Sequence, residues 1–346
     1  MHMADALLSP AVGATFWAGT LAAIGYASKK LKENLDDKMI PLMGVLGAFI
    51  FAAQMINFTI PGTGSSGHIG GGMILTIILG PSAAFLAIAS VLTVQGLFFA
   101  DGGLLALGCN IWNMGIYPCF IVYPLLYKPL AGDSKSPARI LAVSILSVVI
   151  ALQMGAFSVV METLLSGKSE LPFKTFVLLM QPIHLAIGIV EGCITAGVIN
   201  YVRSTRPELL ESLAASRPLN PAVSVKKVVI AFVFLAVITG GVLSWFASTH
   251  PDGLEWAIHK VMGKTELAEQ KHGVAPVIQG IQEKTAFLPG YDFKPTGKEP
   301  KQEEANPSWP SIETGTSVAG ILGAIMVLGF ILLIGLGIRT ARRRHS

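Results

Sequence analysis

The side chains best equipped for chemistry in this sequence are histidines, of which there are seven, and the first of them, His2, adjoins the amino terminus. A histidine at the second position is a chelator. The α-amine of Met1, the backbone nitrogen of His2 once deprotonated, and Nδ1 of the His2 ring can close two fused small rings around one metal ion. A fourth in-plane position stays open. Such a tetragonal nitrogen set suits Ni(II) and Cu(II), and low-spin Co(II) less readily. His68 is the fourth ligand the sequence offers, because it lies in the loop GTGSSGHIGGG, where Gly64, Gly67, Gly70, Gly71 and Gly72 let backbone approach a centre closely. The chelate requires Met1 to stay on, which the bulk of His2 favours.

Metal-bound imidazoles usually need a polar partner behind them. Gln54, Asn57, Ser66, Asp101 and Asn110 are the candidates. His184 and Glu191, seven residues apart in QPIHLAIGIVEG, share one helix face inside an apolar run. Ionisable groups there are costly and suggest a proton relay or a polar contact between helices. We expect the contact, with Gln153, Asn110 or Asn113 as partner. Cys109, Cys119 and Cys193 lie in apolar runs without CxxC spacing, so they are read as buried filler and not as a thiolate site. The stretch Ser166-Gly167-Lys168-Ser169 is not a phosphate loop, since Glu162 stands where the first glycine must be.

The elements that must position these residues are membrane helices. Hydrophobic residues make up 52% of the 346 and charged ones only 13%, and the mean hydropathy is +0.62. Apolar segments fall at about 10–28, 39–58, 72–80, 82–99, 103–127, 140–163, 173–202, 228–248 and 317–338. The fold class expected is an all-α, multi-pass membrane protein of about seven transmembrane helices, followed by two more that flank an extracytoplasmic segment. The net charge of +4 does not indicate nucleic acid, because Lys and Arg sit in short loops and a tail and form no stripe. The positive-inside rule puts those loops in the cytoplasm, the N-terminus outside and the C-terminus inside. MHMADALLSP lacks the basic start of a signal peptide, so the N-terminus is expected to be kept. Parity then requires three crossings within 72–127. One of them is the short stretch 72–80, too short to face lipid and therefore expected to be buried among other helices. The alternative is one long Pro-kinked helix over 72–99.

Three parts follow from composition: a membrane unit at 1–202, a polar cytoplasmic linker at 203–226, and a two-helix part at 227–346. The outer segment of this last part, 249–316, is too polar and Pro-rich in its second half to form much of a core, and PDGLEWAIHKVMG reads as a short helix started near Pro251.

The stretches MHMADALLSP, LGAFIFAAQMINFTIPGTGSSGHIGGG, ILGPSAAFLAIASVLTVQGLFFADGGLLALGCNIWNMG and QPIHLAIGIVEGCITAG resemble the substrate-binding membrane component of nickel and cobalt energy-coupling-factor transporters, the NikM/CbiM family. The C-terminal part, with HPDGLEW, looks like the small NikN/CbiN partner fused to it. The resemblance implies uptake of Ni(II) or Co(II), held by Met1, His2 and His68, in the cell membrane of a prokaryote. It also implies a membrane coupling (T) subunit and separate ABC ATPase subunits as partners, and no organic cofactor. Met3-Ala4-Asp5 departs from the order common in that family. Uptake of cobalt for cobalamin synthesis, or proton-coupled secondary transport through His184 and Glu191, are the alternatives. An intramembrane metalloenzyme is disfavoured by the absence of HExxH.

Overall fold

The computed structural model describes the chain except for residues 1, 35, 37, 133, 135, 169–170, 206, 209, 211–225, 264–272, 295–308 and 344–346. Met1, most of the linker, part of the outer segment, His272 and His345 therefore lie outside the described residues. Each apolar stretch of the sequence contains a helix. In chain order these are α1 (Pro10–Asn34), α2 (Met39–Gln54), α3 (Gly72–Leu79), α4 (Pro81–Phe98) and α5 (Leu107–Ile111). A wound-out stretch, Trp112–Tyr127, continues α5 into α6 (Lys128–Ala131). Then come α7 (Pro137–Ser166), α8 (Phe173–Thr205), α9 (Lys226–Gly241) and, after the outer segment, α12 (Thr314–Arg343). The outer segment contributes α10 (Gly253–Met262) and α11 (Ala275–Thr285). The fold is all-α but for one antiparallel ribbon, β1 (Phe58–Ile60) with β2 (Ser65–Gly67), paired Phe58 to Gly67. Among the described residues, α4, α7, α8 and α12 are each long and apolar enough to cross a bilayer.

The segment 72–80 is a separate helix, and the kinked alternative does not occur. Gly80, at φ +80°, ends α3, and Pro81 opens α4 at the position where a missing N–H costs nothing. All eight residues of α3 are buried, as a helix only about 12 Å long must be within a bilayer. Its first residue is glycine for a steric reason. A Cβ at Gly72 would stand 2.6 Å from Pro118 Cγ and 2.7 Å from the Met114 carbonyl. That neighbour, Trp112–Tyr127, is π-helical and carries Pro118 and Pro124. A proline in mid-helix removes an i to i−4 bond and crowds the preceding turn, and wider winding relieves the crowding.

The two-helix part is packed into this unit. Along α12, a Cβ at Gly323 would stand 2.0 Å from Phe51 Cζ and one at Gly335 would stand 2.4 Å from Ile40 Cγ2, both on α2. Where α9 crosses α12, a Cβ at Gly320 would stand 2.4 Å from the Gly240 carbonyl oxygen. Close crossings of this kind are made by small residues, because apolar lipid supplies no hydrophobic drive between helices. Gly320→Val is expected to force α9 and α12 apart at a cost of about 1–3 kcal/mol, read as a lower melting temperature in detergent. Gly329→Ala, whose Cβ would meet nothing within 4 Å, should leave it unchanged.

Candidate metal centre

The chain's beginning is built into the protein. Met3, Leu7 and Leu8 are fully buried, and a single 3-10 turn, Asp5–Leu7, leads to α1. Asn110 receives the Met3 amide at 2.8 Å, and its Nδ2 donates to the Met3 carbonyl. Gly103 N–H donates to the same carbonyl at 2.9 Å, while the Ala106 amide donates to Asp5 Oδ1. Gly102, at φ +78°, takes a left-handed turn and a Cβ there would stand 2.8 Å from Asn110 Nδ2, while a Cβ at Gly103 would clash with Asp5.

This anchoring fixes His2, whose side chain is 7% exposed. Its ring stacks on that of His68, centroids 5.2 Å apart and planes 19° from parallel. Nδ1 of His2 faces Asp101 Oδ1 at 3.4 Å, and its Nε2 is buried without a hydrogen-bond partner among the described residues. Asp101 is itself held by the Tyr291 hydroxyl, which donates to Oδ2. Nδ1 of His68 is 3.0 Å from the Ile69 carbonyl, an arrangement that puts the ring proton on Nδ1 and leaves the lone pair on Nε2. Burial, then neighbouring positive charge including His2, lowers the His68 pKa to about 4, and burial lowers that of His2 as well. Both shifts favour the neutral imidazole, the form that binds metal.

The loop bearing His68 is held from two sides. Gln54 Nε2 donates to the Gly70 carbonyl at 2.8 Å, and Gln54 Oε1 accepts from Gln95. From the other side, the Glu191 carboxylate accepts the Gly70 amide at 2.7 Å and the Gly71 amide at 2.8 Å. The expectation that Glu191 pairs with Gln153, Asn110 or Asn113 is overturned. Gln153 donates to the Gln181 carbonyl, Asn113 to Glu162, and Asn110 holds Met3, while two backbone amides of a tight glycine loop present a bidentate donor pair that an amide side chain cannot match. Nδ1 of His184 is 2.8 Å from the Met180 carbonyl, one turn back on α8. Cys109 and Cys119 are buried as expected, but Cys193 is on the exposed face of α8.

Of the other candidates, Ser66 is bonded to the outer segment through its side chain and backbone, and Asn57 through its backbone. Ser66 N–H donates to the Pro251 carbonyl, Ser66 Oγ donates to the His250 carbonyl, and the Asn57 carbonyl accepts from Ser248 N–H. Trp256 Nε1 donates to the Thr63 carbonyl. Residues 248–256 thus run beside the ribbon, Ser66 forming a parallel bridge with Asp252. The helix that follows begins at Gly253 and not at Pro251, because Asp252 caps it: Oδ1 accepts from Leu254 N–H and Glu255 N–H, and Glu255 reaches back to the Asp252 amide. The spacing Asp252-x-x-Glu255 carried that signal. Further on, Gln282 donates to the carbonyls of Gly96 and Gly102, and the Gly290 amide donates to Phe99. Phe287 packs on Phe98 and Phe99, and Tyr291 stacks on Phe99. The stretch expected to lack a core therefore borrows one. Gln95, Asp252, Gln282 and Tyr291 are site residues that the sequence alone did not single out.

Long apolar helices packed around a buried pair of histidines, one next to the start of the chain and one in a glycine loop, define a multi-pass membrane protein. Its relatives share a vocation. The CbiM family model, described as a cobalt uptake substrate-specific transmembrane region, matches residues 2–209, and the PDGLE domain matches residues 226–340. The chain belongs to the CbiM family of metal-transport proteins. It is 33% identical over 336 residues to a putative fused nickel transport protein NikMN of Archaeoglobus fulgidus, covering 96% of this chain and 98% of that one. It is also 29% identical to the cobalt transport protein CbiM of Sorangium cellulosum, over 63% of this chain and 97% of the relative. A crystal structure of a transition metal transporter, 29% identical, superposes with a TM-score of 0.53 over 60% of this chain and 95% of that one.

Two outcomes follow from this geometry. Glu191→Ala strands two buried amides, at a cost of about 2–6 kcal/mol, and should loosen the His68 loop. Faster amide exchange at residues 67–72 measures this, and Glu191→Gln should fall between. The second concerns pH. Between 6.5 and about 4, unfolded His68 takes up a proton that the folded ring refuses, so stability that is complete above pH 6.5 is lost as pH falls toward 4. The melting temperature of metal-free wild type should drop through that window, and more steeply than that of His68→Ala.

Proposed function

We propose that this chain is the substrate-binding component of a nickel uptake system, holding Ni(II) between its own amino terminus and His68. The observation that carries this reading is the stacking of the His2 and His68 rings, 5.2 Å apart, on an N-terminal strand enclosed by the protein. The Met1 amine, the His2 backbone nitrogen, His2 Nδ1 and His68 Nε2 complete a square of nitrogens around the ion. For this, the His2 ring makes a half-turn about Cβ–Cγ. Nδ1 is then released from Asp101, and Nε2, otherwise unpartnered, comes round toward that carboxylate as its outer hydrogen bond. Amide deprotonation leaves the centre with one net positive charge, and Asp101 supplies the compensating negative one.

Square-planar preference and the nickel-named relative of full length both favour nickel. Cobalt, the substrate named for the shorter relative, is the alternative at the same centre. The N-terminus then faces outside and the C-terminus the cytoplasm. ATP hydrolysis in separate ABC subunits, joined through a membrane coupling subunit, drives release inward, since this chain has no phosphate loop of its own. The PDGLE part braces the centre from outside, one end on the ribbon before His68 and the other on the loop of Asp101. Proton-coupled transport through His184 and Glu191 is less well supported, because Glu191 is engaged with two amides.

Inserting one alanine between Met1 and His2 enlarges a chelate ring and keeps every side chain. Purified protein with the insertion should lose stoichiometric nickel; undiminished affinity would refute the amine-amide-imidazole centre. Uptake in cells should vanish without the ATPase subunits, and uptake indifferent to their loss but abolished by an uncoupler would favour the proton-coupled scheme.

A further inference from the structure

Successive turns of α8 face three different parts of the site. Ile183 and His184 face the turn at Gly253, where a Cβ would stand 2.6 Å from Ile183 Cγ2 and 3.3 Å from His184 Cε1. One turn on, Ile187 fills the space beside Gly67, and a further turn brings Glu191 to Gly70. His184 is therefore at the level of the outer segment, roughly 10 Å along the helix from Glu191. A small cavity opens at that level, bounded by Gly67, His68, His184, Asp252 and Gly253. Its lining comes from both parts of the chain and includes His68.

We propose that His184 and Asp252 form a loading relay, a pair of transient metal ligands between α8 and the PDGLE turn through which the ion passes to His68 and the amino terminus. The proposal rests on the reading of the N-terminal centre given above. Three features carry it. His184 has the arrangement of His68, with Nδ1 at a backbone carbonyl and the lone pair on Nε2, and lines the same cavity. Its carbonyl partner is the local Met180, so the ring fastens nothing distant in sequence. Asp252 brings a carboxylate, oriented by its cap on α10, to the outer side of that cavity.

The order of donors suits an ion that must shed water in steps. A hydrated divalent cation is costly to move bare into an apolar cleft. A carboxylate suits the hydrated ion, an imidazole the partly stripped one, and the four-nitrogen set the final one. Passage from ligand to ligand carries the ion onward, and its resting site is the N-terminal centre.

A relay lies in the barrier and not in the bound state, so it speeds loading and release alike. The test uses the full-length protein, nickel chloride and stopped-flow absorbance, with release followed into excess EDTA. His184→Ala and Asp252→Asn should each slow both rates by about tenfold, the equivalent of one contact worth about 1.4 kcal/mol at the barrier. The dissociation constant of His184→Ala should hold, because it is their ratio. Asp252→Asn keeps a capping side chain and removes only the charge, so it tests the relay even if His184→Ala folds poorly. Unchanged rates in either variant, or a weaker dissociation constant at an unchanged loading rate, would overturn the relay. Wild-type protein that binds no nickel would instead overturn the N-terminal centre.

Discussion

The interaction on which the site depends is the pair of hydrogen bonds between Asn110 and the backbone of Met3. An amino terminus is ordinarily the most mobile part of a chain, and ordering each residue of it costs about 1–2 kcal/mol of backbone entropy. Here a buried amide side chain takes both a donor and an acceptor from the strand, Gly103 takes the carbonyl a second time, and Met3, Leu7 and Leu8 add apolar burial. Only with the strand held in place is His2 brought to His68. The glycines at 102 and 103 belong to the same constraint, since a side chain at 102 would strike Asn110 and one at 103 would strike Asp5.

The second half of the site meets a different problem. The loop of His68 is rich in glycine, so it can come close, but glycine also leaves it with the most conformational freedom to lose. Two buried polar side chains remove that freedom. Gln54 holds the Gly70 carbonyl and Glu191 the amides of Gly70 and Gly71, so the loop end is gripped at every polar atom it presents there. A carboxylate within the helix bundle is tolerable because its two oxygens are both met by N–H groups. The short α3 begins immediately after this grip, and its burial follows from the loop's having reached in beside the middle of α8.

The two parts of the chain are coupled at the same place. Residues 248–256 extend the ribbon beside His68, and residues 282–291 hold the loop of Asp101, so the outer segment touches each of the loops that meet at the histidines. Helices α9 and α12, packed through glycine on each other, with α12 also packed through glycine on α2, tether that segment. Any motion that lifts residues 248–256 or 282–291 from the loops they hold must therefore separate Ser66 from Pro251 or Tyr291 from Asp101.

What the sequence determined by itself was local. Hydrophobic runs specified the membrane helices, Gly80-Pro81 separated α3 from α4, and position two with one loop histidine named His2 and His68, because periodicity, turn chemistry and chelate-ring size are properties of neighbouring residues. Asp101 and Asn110 were also legible as polar partners, though not which one each would hold. The tertiary structure decided the rest. Glu191 meets Gly70 across 121 positions and Tyr291 meets Asp101 across 190, and no spacing rule reaches that far. Those pairings exist because each buried donor or acceptor must find its partner in whatever the packing brings alongside, and that is settled only when the helices and the outer segment have closed around the N-terminus.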